Sequence, residues 1–170
     1  MDEMFDIVDE FDRVIAQAPR SEVHRVWHKH RAVHIFAFDD RGRLWLQRRS
    51  ANKGCSPLRW DSSAAGHLGA GESYDVCAIR EVREEIGLRV VPRFRFKLGA
   101  CPETGWEHVS VYTCRINARI RFNTDEIIEG AYFASPSIAA WIDRAPDQFA
   151  SGFVRIYREF QHRGWFKHCL

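Results

Sequence analysis

Residues 66–88 read GHLGAGESYDVCAIREVREEIGL, a loop holding Gly66, Gly69 and Gly71 that runs into a segment carrying Arg80, Glu81, Glu84 and Glu85. Ser73 is a good N-cap, Asp75 falls in the first turn and Gly87 supplies a stop, so the spacing predicts a helix starting at Tyr74. Val76, Ile79, Val82 and Ile86 recur three or four residues apart and share one stripe of a helix with 3.6 residues per turn. That stripe is expected to face the core. At about 100° per residue, Glu81, Glu84 and Glu85 fall in a sector about 100° wide on the opposite side, so three carboxylates share one face.

Glu81 has like charges at i+3 and i+4, and Cys77 and Ala78 behind it offer no cation; Glu84 has Arg80 and Glu85 has Arg89 at helical reach. On an open surface such crowding costs only a few tenths of a kcal/mol per pair. In a cleft with an effective dielectric near 20, two charges about 6 Å apart repel by roughly 3 kcal/mol, and a divalent cation relieves several such repulsions together. Hard oxygen donors favour magnesium or manganese. The bland alternative is an amphipathic helix with solvated glutamates. The glycine loop ahead tips the balance, because glycines let backbone groups approach a phosphate or metal closely.

Gly66, Glu72, Arg80-Glu81, Glu84-Glu85 and Gly87, with an apolar residue after Glu81 and after Gly87, match the Nudix box without a departure, a coincidence on the order of one in a million in a chain this long. The resemblance implies a Nudix-type α/β/α sandwich around a mixed β-sheet and hydrolysis of an organic diphosphate with Mg2+ or Mn2+. It also implies that the Gly66 carbonyl and the carboxylates of Glu81, Glu84 and Glu85 hold metal while Arg80 orients the glutamates. In many members a loop glutamate completes the metal shell or acts as base; Glu126 in TDEIIEGAYF is the match, with Glu129 a near competitor. Glu84, Glu81 and Glu126 are all candidates for the base. His67 and Trp106 are the candidate substrate contacts.

At 170 residues the chain fits one domain, 1–170, with a self-sufficient core. Lys+Arg 25 against Asp+Glu 23 leaves +2, too balanced to argue for binding a nucleic acid polymer or a membrane surface. Cysteines 55, 77, 101, 114 and 169 contain no CxxC, which points to neither a disulfide framework nor zinc and fits a reducing cytosol. No export signal or 18-residue apolar run is legible. The pattern predicts an N-terminal hairpin (5–8, 14–16) and a brief helix from Ser21 to Trp27 within residues 1–30. It further predicts a second hairpin (33–38, 44–47), strands near 94–99, 109–116 and 131–133, and helices over 137–144 and 147–163. Together these make an α/β sandwich on a mixed sheet.

Outside the box, FDIVDEFDRVIAQAPRSEVH, HRAVHIFAFDDRGRLWLQRRS and WDSSAAGH resemble the Nudix subgroup related to isopentenyl-diphosphate isomerase. That resemblance implies a rival use of the site, in which His24, His30 and His67 help bind metal with glutamates of which Glu126 is the best match. The isomerases carry a catalytic cysteine where this chain has Ala65, and they degrade the box glutamates that are complete here, so hydrolysis is favoured. Histidine is also an ordinary partly buried residue, and a structural or substrate-contact role stays open for His24, His28, His30 and His34. A Nudix domain that binds nucleotide without turnover is a third alternative. The leaving moiety and the oligomeric state, a homodimer included, are open.

Overall fold

The computed structural model describes residues 2–168, and the Cys169 reading lies outside them. Strands β1 (Met4–Val8) and β2 (Val14–Pro19) form the N-terminal hairpin. Asp9 shapes its turn by accepting the backbone N–H groups of Phe11 and Arg13. Helix α1 (Arg20–Val26) follows directly. Ser21 does not cap it: Pro19 precedes the first turn, and the Ser21 N–H and hydroxyl both donate to Asp2.

The main sheet is built around β3 (His30–Phe38). It pairs in parallel with β8 (Glu107–Arg115) over its whole length, from His30 opposite Glu107 to Phe38 opposite Arg115. On its other edge it meets the short β6 (Ala64–His67) first, then β4 (Leu44–Arg49) beside the hairpin turn. In that turn Asp39 accepts the Arg41 and Arg43 N–H groups. Strand β4 goes on to β5 (Trp60–Asp61) and β9 (Ile127–Phe133), and β7 (Arg93–Leu98) closes the far edge beside β8. The sheet is mixed, as expected.

Alternation along β3 sorts the two hydrophobic layers, because successive side chains of a strand point to opposite faces. Ala32, Phe36 and Phe38 join Ile138 and Ile142 of α3 (Ser135–Arg144) and Phe153, Ile156, Tyr157 and Phe160 of α4 (Ser151–His162). Val33, Ile35 and Ala37 join Cys77, Ala78, Val82 and Ile86 of α2 (Tyr74–Ile86). Helices on both faces of one sheet make the α/β/α sandwich.

Helix α2 starts after Ser73, whose hydroxyl accepts the Val76 N–H, and ends at Gly87 with φ 71°, as its sequence predicts. The core stripe differs. Val76 and Ile79 are exposed, at 56% and 40%, whereas Glu81 and Glu85 are buried. The small side chains of Cys77 and Ala78 let the helix lie close against β6, which turns its apolar side towards Cys77, Ala78, Val82 and Ile86 and draws Glu81 and Glu85 inward. The final helix is also shorter than 147–163: Pro146–Gln148 is a single 3-10 turn, and Phe149–Ala150 is extended because Ala150 N–H donates to the Trp60 carbonyl.

Candidate active site

Arg80 organises the box. Its Nε and Nη2 grip the two oxygens of Glu72, each at 2.9 Å, a bidentate pair that fixes the guanidinium plane. Nη1 then reaches Glu81 Oε1 at 2.6 Å and Glu84 Oε2 at 3.2 Å, and Nη2 also donates to the His67 carbonyl at 3.0 Å. Burial would raise the Glu72 carboxyl, but Arg80 and the Gly69 N–H override it and hold it below the usual range. The cation missing from the helical neighbours of Glu81 is thus supplied by the adjacent residue.

Glu81 lies against the strand at Gly66, where an added Cβ would sit 2.0 Å from its Oε1. Only glycine leaves that space. Burial first, then the charge of Glu85, push the Glu81 carboxyl up to about 7 in spite of Arg80. Glu85 is bonded through Gln47 Nε2 at 2.9 Å and the Ala65 N–H at 3.1 Å, and not through Arg89. Both bonds converge on Oε2. Burial again raises this carboxyl, against Lys53 and Gln47. Glu84, with a 59% exposed side chain, faces solvent.

Glu126 comes to the same end of α2 through three backbone bonds: Asn123 N–H to the Glu85 carbonyl, Glu126 N–H to the Asn123 carbonyl, and Ser50 N–H to the Glu126 carbonyl. Its carboxylate pairs with Lys53. Glu129 lies apart, on Arg48.

The histidines form a second group. Ligand atoms of His24, His30 and His67 all lie within 4.8 Å of one another. Glu107 joins them, 2.9 Å from His67 Nε2 and 3.6 Å from His30 Nε2. The glutamate beside these histidines is therefore Glu107 and not Glu126, because the parallel register sets Glu107 opposite His30. Burial, then the neighbouring His67 and His30, lower His24 to about 4; burial likewise lowers His67. Burial thus favours the neutral form of both imidazoles. His30 and His67 override the burial of Glu107 and hold its carboxyl well below the usual range. The Nε2 atoms of His24 and His30 are buried without a hydrogen-bond partner.

His34, also buried, is bonded at Nδ1 to Ser62 Oγ at 2.7 Å, and buried Asp61 is held by Arg49 at 3.1 Å. His28 contributes only its carbonyl, to His30 Nδ1. The ring of His67 is turned to His24, His30 and Glu107 while its carbonyl serves Arg80, so one residue joins the box to the histidines. Trp106, with φ 65°, lines a cleft of about 530 Å³ with Trp27, Lys29 and Pro102, and its carbonyl accepts the His30 N–H.

Glu107, Gln47 and Lys53 were not foreseen. Gln47 and Lys53 meet the box only through β4 and the loop after it, and Glu107 carries no signal beyond its place beside Trp106. Among the described residues no helix is long and apolar enough to cross a membrane, and the four described cysteines are free.

A family model described as the NUDIX domain matches residues 28–153. A Nudix hydrolase of Streptomyces coelicolor is 39% identical over 131 residues, covering 74% of this chain and 71% of the relative. An isopentenyl-diphosphate delta-isomerase of Photorhabdus laumondii is 32% identical over 162 residues, covering 92% and 91%. A crystal structure of a Deinococcus radiodurans protein superposes with a TM-score of 0.81 at 27% identity, covering 92% of this chain and 98% of that one.

Proposed function

The chain belongs to the Nudix family, and on that footing we propose that it is a metal-dependent diphosphohydrolase acting on a small organic diphosphate, nucleoside diphosphate-linked or other. The observation that carries this is the pair of buried carboxylates, Glu81, which fills the space left by the missing Gly66 side chain, and Glu85, held by Gln47 and the Ala65 N–H. Arg80 offsets only part of the cost of burying Glu81, whose carboxyl is still raised to about 7. An all-oxygen donor set of Glu81, Glu84 and Glu85, with the Gly66 carbonyl and Glu126 at its margin, suits Mg2+ or Mn2+. When bound, such an ion neutralises phosphate oxygens and lowers the pKa of an attacking water.

The residues of the chain supply the rest. Arg80 holds Glu81 and Glu84 in register while Glu72 holds Arg80. Gln47 and the Ala65 N–H aim Glu85. The water proton goes to a carboxylate at the solvent edge, Glu84 or Glu126. Arg49 and Arg20 add positive charge in the neighbourhood of Lys53, which favours an anionic substrate. Residues 1–30 belong to the same domain in this account: the Gly71 N–H donates to Asp6, the Tyr74 hydroxyl to Asp12, and α1 delivers His24.

A panel of nucleotides, nucleotide sugars, dinucleotides, coenzyme A and prenyl diphosphates, assayed with Mg2+ and Mn2+, tests this. Glu84→Gln and Glu85→Gln are expected to keep the fold and lower turnover by orders of magnitude, and unchanged activity in both removes the assignment.

A second function, isomerisation of an isoprenoid diphosphate, is favoured by the histidine cluster. The orphaned Nε2 atoms of His24 and His30 fit a metal, and three imidazoles with one carboxylate suit a transition ion. Ala65 leaves no thiol at the position where the isomerases carry their cysteine, which keeps this function second. Allylic product from isopentenyl diphosphate would establish it.

A further inference from the structure

The segment after β4 has no regular structure, yet it is fixed where it meets the box. Ser50 N–H donates to the Glu126 carbonyl at 2.8 Å, Asn52 N–H to Ser50 Oγ at 3.2 Å, and Lys53 N–H to the Ser50 carbonyl at 3.3 Å. Those bonds turn the Lys53 side chain inward, where it is only 21% exposed and pairs with Glu126. Loss of solvent is the largest influence on its ammonium; among charges Glu85 is the strongest, and Glu81 adds to it. A lysine on a loop ordinarily points to water, because its chain entropy and hydration favour exposure. Here the loop delivers it to the acidic end of α2.

One tethered ammonium thus pairs with Glu126 and lies in the field of Glu85 and Glu81, three carboxylates that the proposed function assigns to a metal. We propose that Lys53 is the resident counter-ion of this cluster, occupying Glu126 in the metal-free protein and setting the affinity for the divalent ion by competing with it. A metal that takes Glu126 must break the Lys53–Glu126 pair, and one that binds only at Glu81 and Glu85 does so against the repulsion of a nearby unit charge. Even at the dielectric of bulk water, a unit charge about 6 Å from a divalent ion changes its affinity about tenfold.

This inference rests on the metal site of the proposed function, and the test separates the two. Mn2+ affinity is measured by titration calorimetry on wild type, Lys53→Met, Lys53→Gln, Lys53→Arg and Glu85→Gln, with thermal melts confirming folding. Lys53→Met and Lys53→Gln are expected to bind Mn2+ about tenfold more tightly, and Lys53→Arg within about threefold of wild type. Structural damage would weaken binding, so tightening is the outcome that a merely supporting lysine does not give. Equal or weaker binding by both neutral variants, in a wild type whose binding depends on Glu85, overturns the role of Lys53 and leaves the metal site standing. A wild type whose Mn2+ affinity ignores Glu85→Gln overturns both.

Discussion

Glu81 is buried at the cost of stability. Its carboxyl is raised from 4.5 to about 7 in the folded chain, so its neutral form supports the fold below pH 4.5, and that support is lost as pH rises through 7. In chelator at pH 8, Glu81→Gln is therefore expected to stabilise the protein by about 1–3 kcal/mol, with no gain at pH 4; thermal melts at both pH values check this. Gly66→Ala is expected to do the reverse job: the melt changes little while Mn2+ affinity and turnover collapse, since the new methyl displaces the Glu81 carboxylate. A Gly66→Ala enzyme of wild-type activity would mean that Glu81 need not lie there. At this scale the sequence was informative where the spacing is local. The grouping of Glu81, Glu84 and Glu85 follows from one helix, and the resemblance of that helix and its entry loop to the Nudix box adds Gly66 and Arg80. Gln47 meets Glu85 across 38 residues, and no local pattern announces such a partner.

Helix α2 shows what periodicity can and cannot decide. Its start, stop and length follow from Ser73 and Gly87, but its rotation was misjudged because Cys77 and Ala78 carry little hydrophobic signal and still form the contact with the sheet. Substituting Val76 by Lys or Ile79 by Gln is expected to change stability by no more than about 0.5 kcal/mol, as for exposed sites, whereas Ile86→Ala costs about 2–5 kcal/mol. Urea denaturation distinguishes these. Strands β5 and β6 are not legible in the sequence, since WDSSAA is small and polar with no period of two. Their pairing with β4 and β3 is what sets Gly66 opposite Val33 and brings the box to the sheet. Glu107 was missed for the same reason: its meaning comes from parallel pairing with β3.

The whole molecule places α2 and the pair α3–α4 on opposite faces of one mixed sheet, and the strand order was not legible although the class was. Hydrophobic alternation fixes which residues of β3 meet which helix, but not that its partner over its full length would be β8. The larger of the two layers is aromatic, with Phe36, Phe38, Phe96 and Phe166 all against Phe160 or its neighbours; Phe160→Ala is expected to cost about 3–5 kcal/mol with the box chemistry of the surviving folded protein intact. The fold also keeps the all-oxygen group and the imidazole group apart while joining them through His67. Diffraction from a crystal soaked in Mn2+, recorded at a wavelength where manganese scatters anomalously, shows directly whether the box carboxylates hold the ion. A peak is expected between the carboxylates of Glu81 and Glu85 beside Gly66. Peaks confined to His24, His30 and His67, with those carboxylates bare, would contradict the proposed metal site.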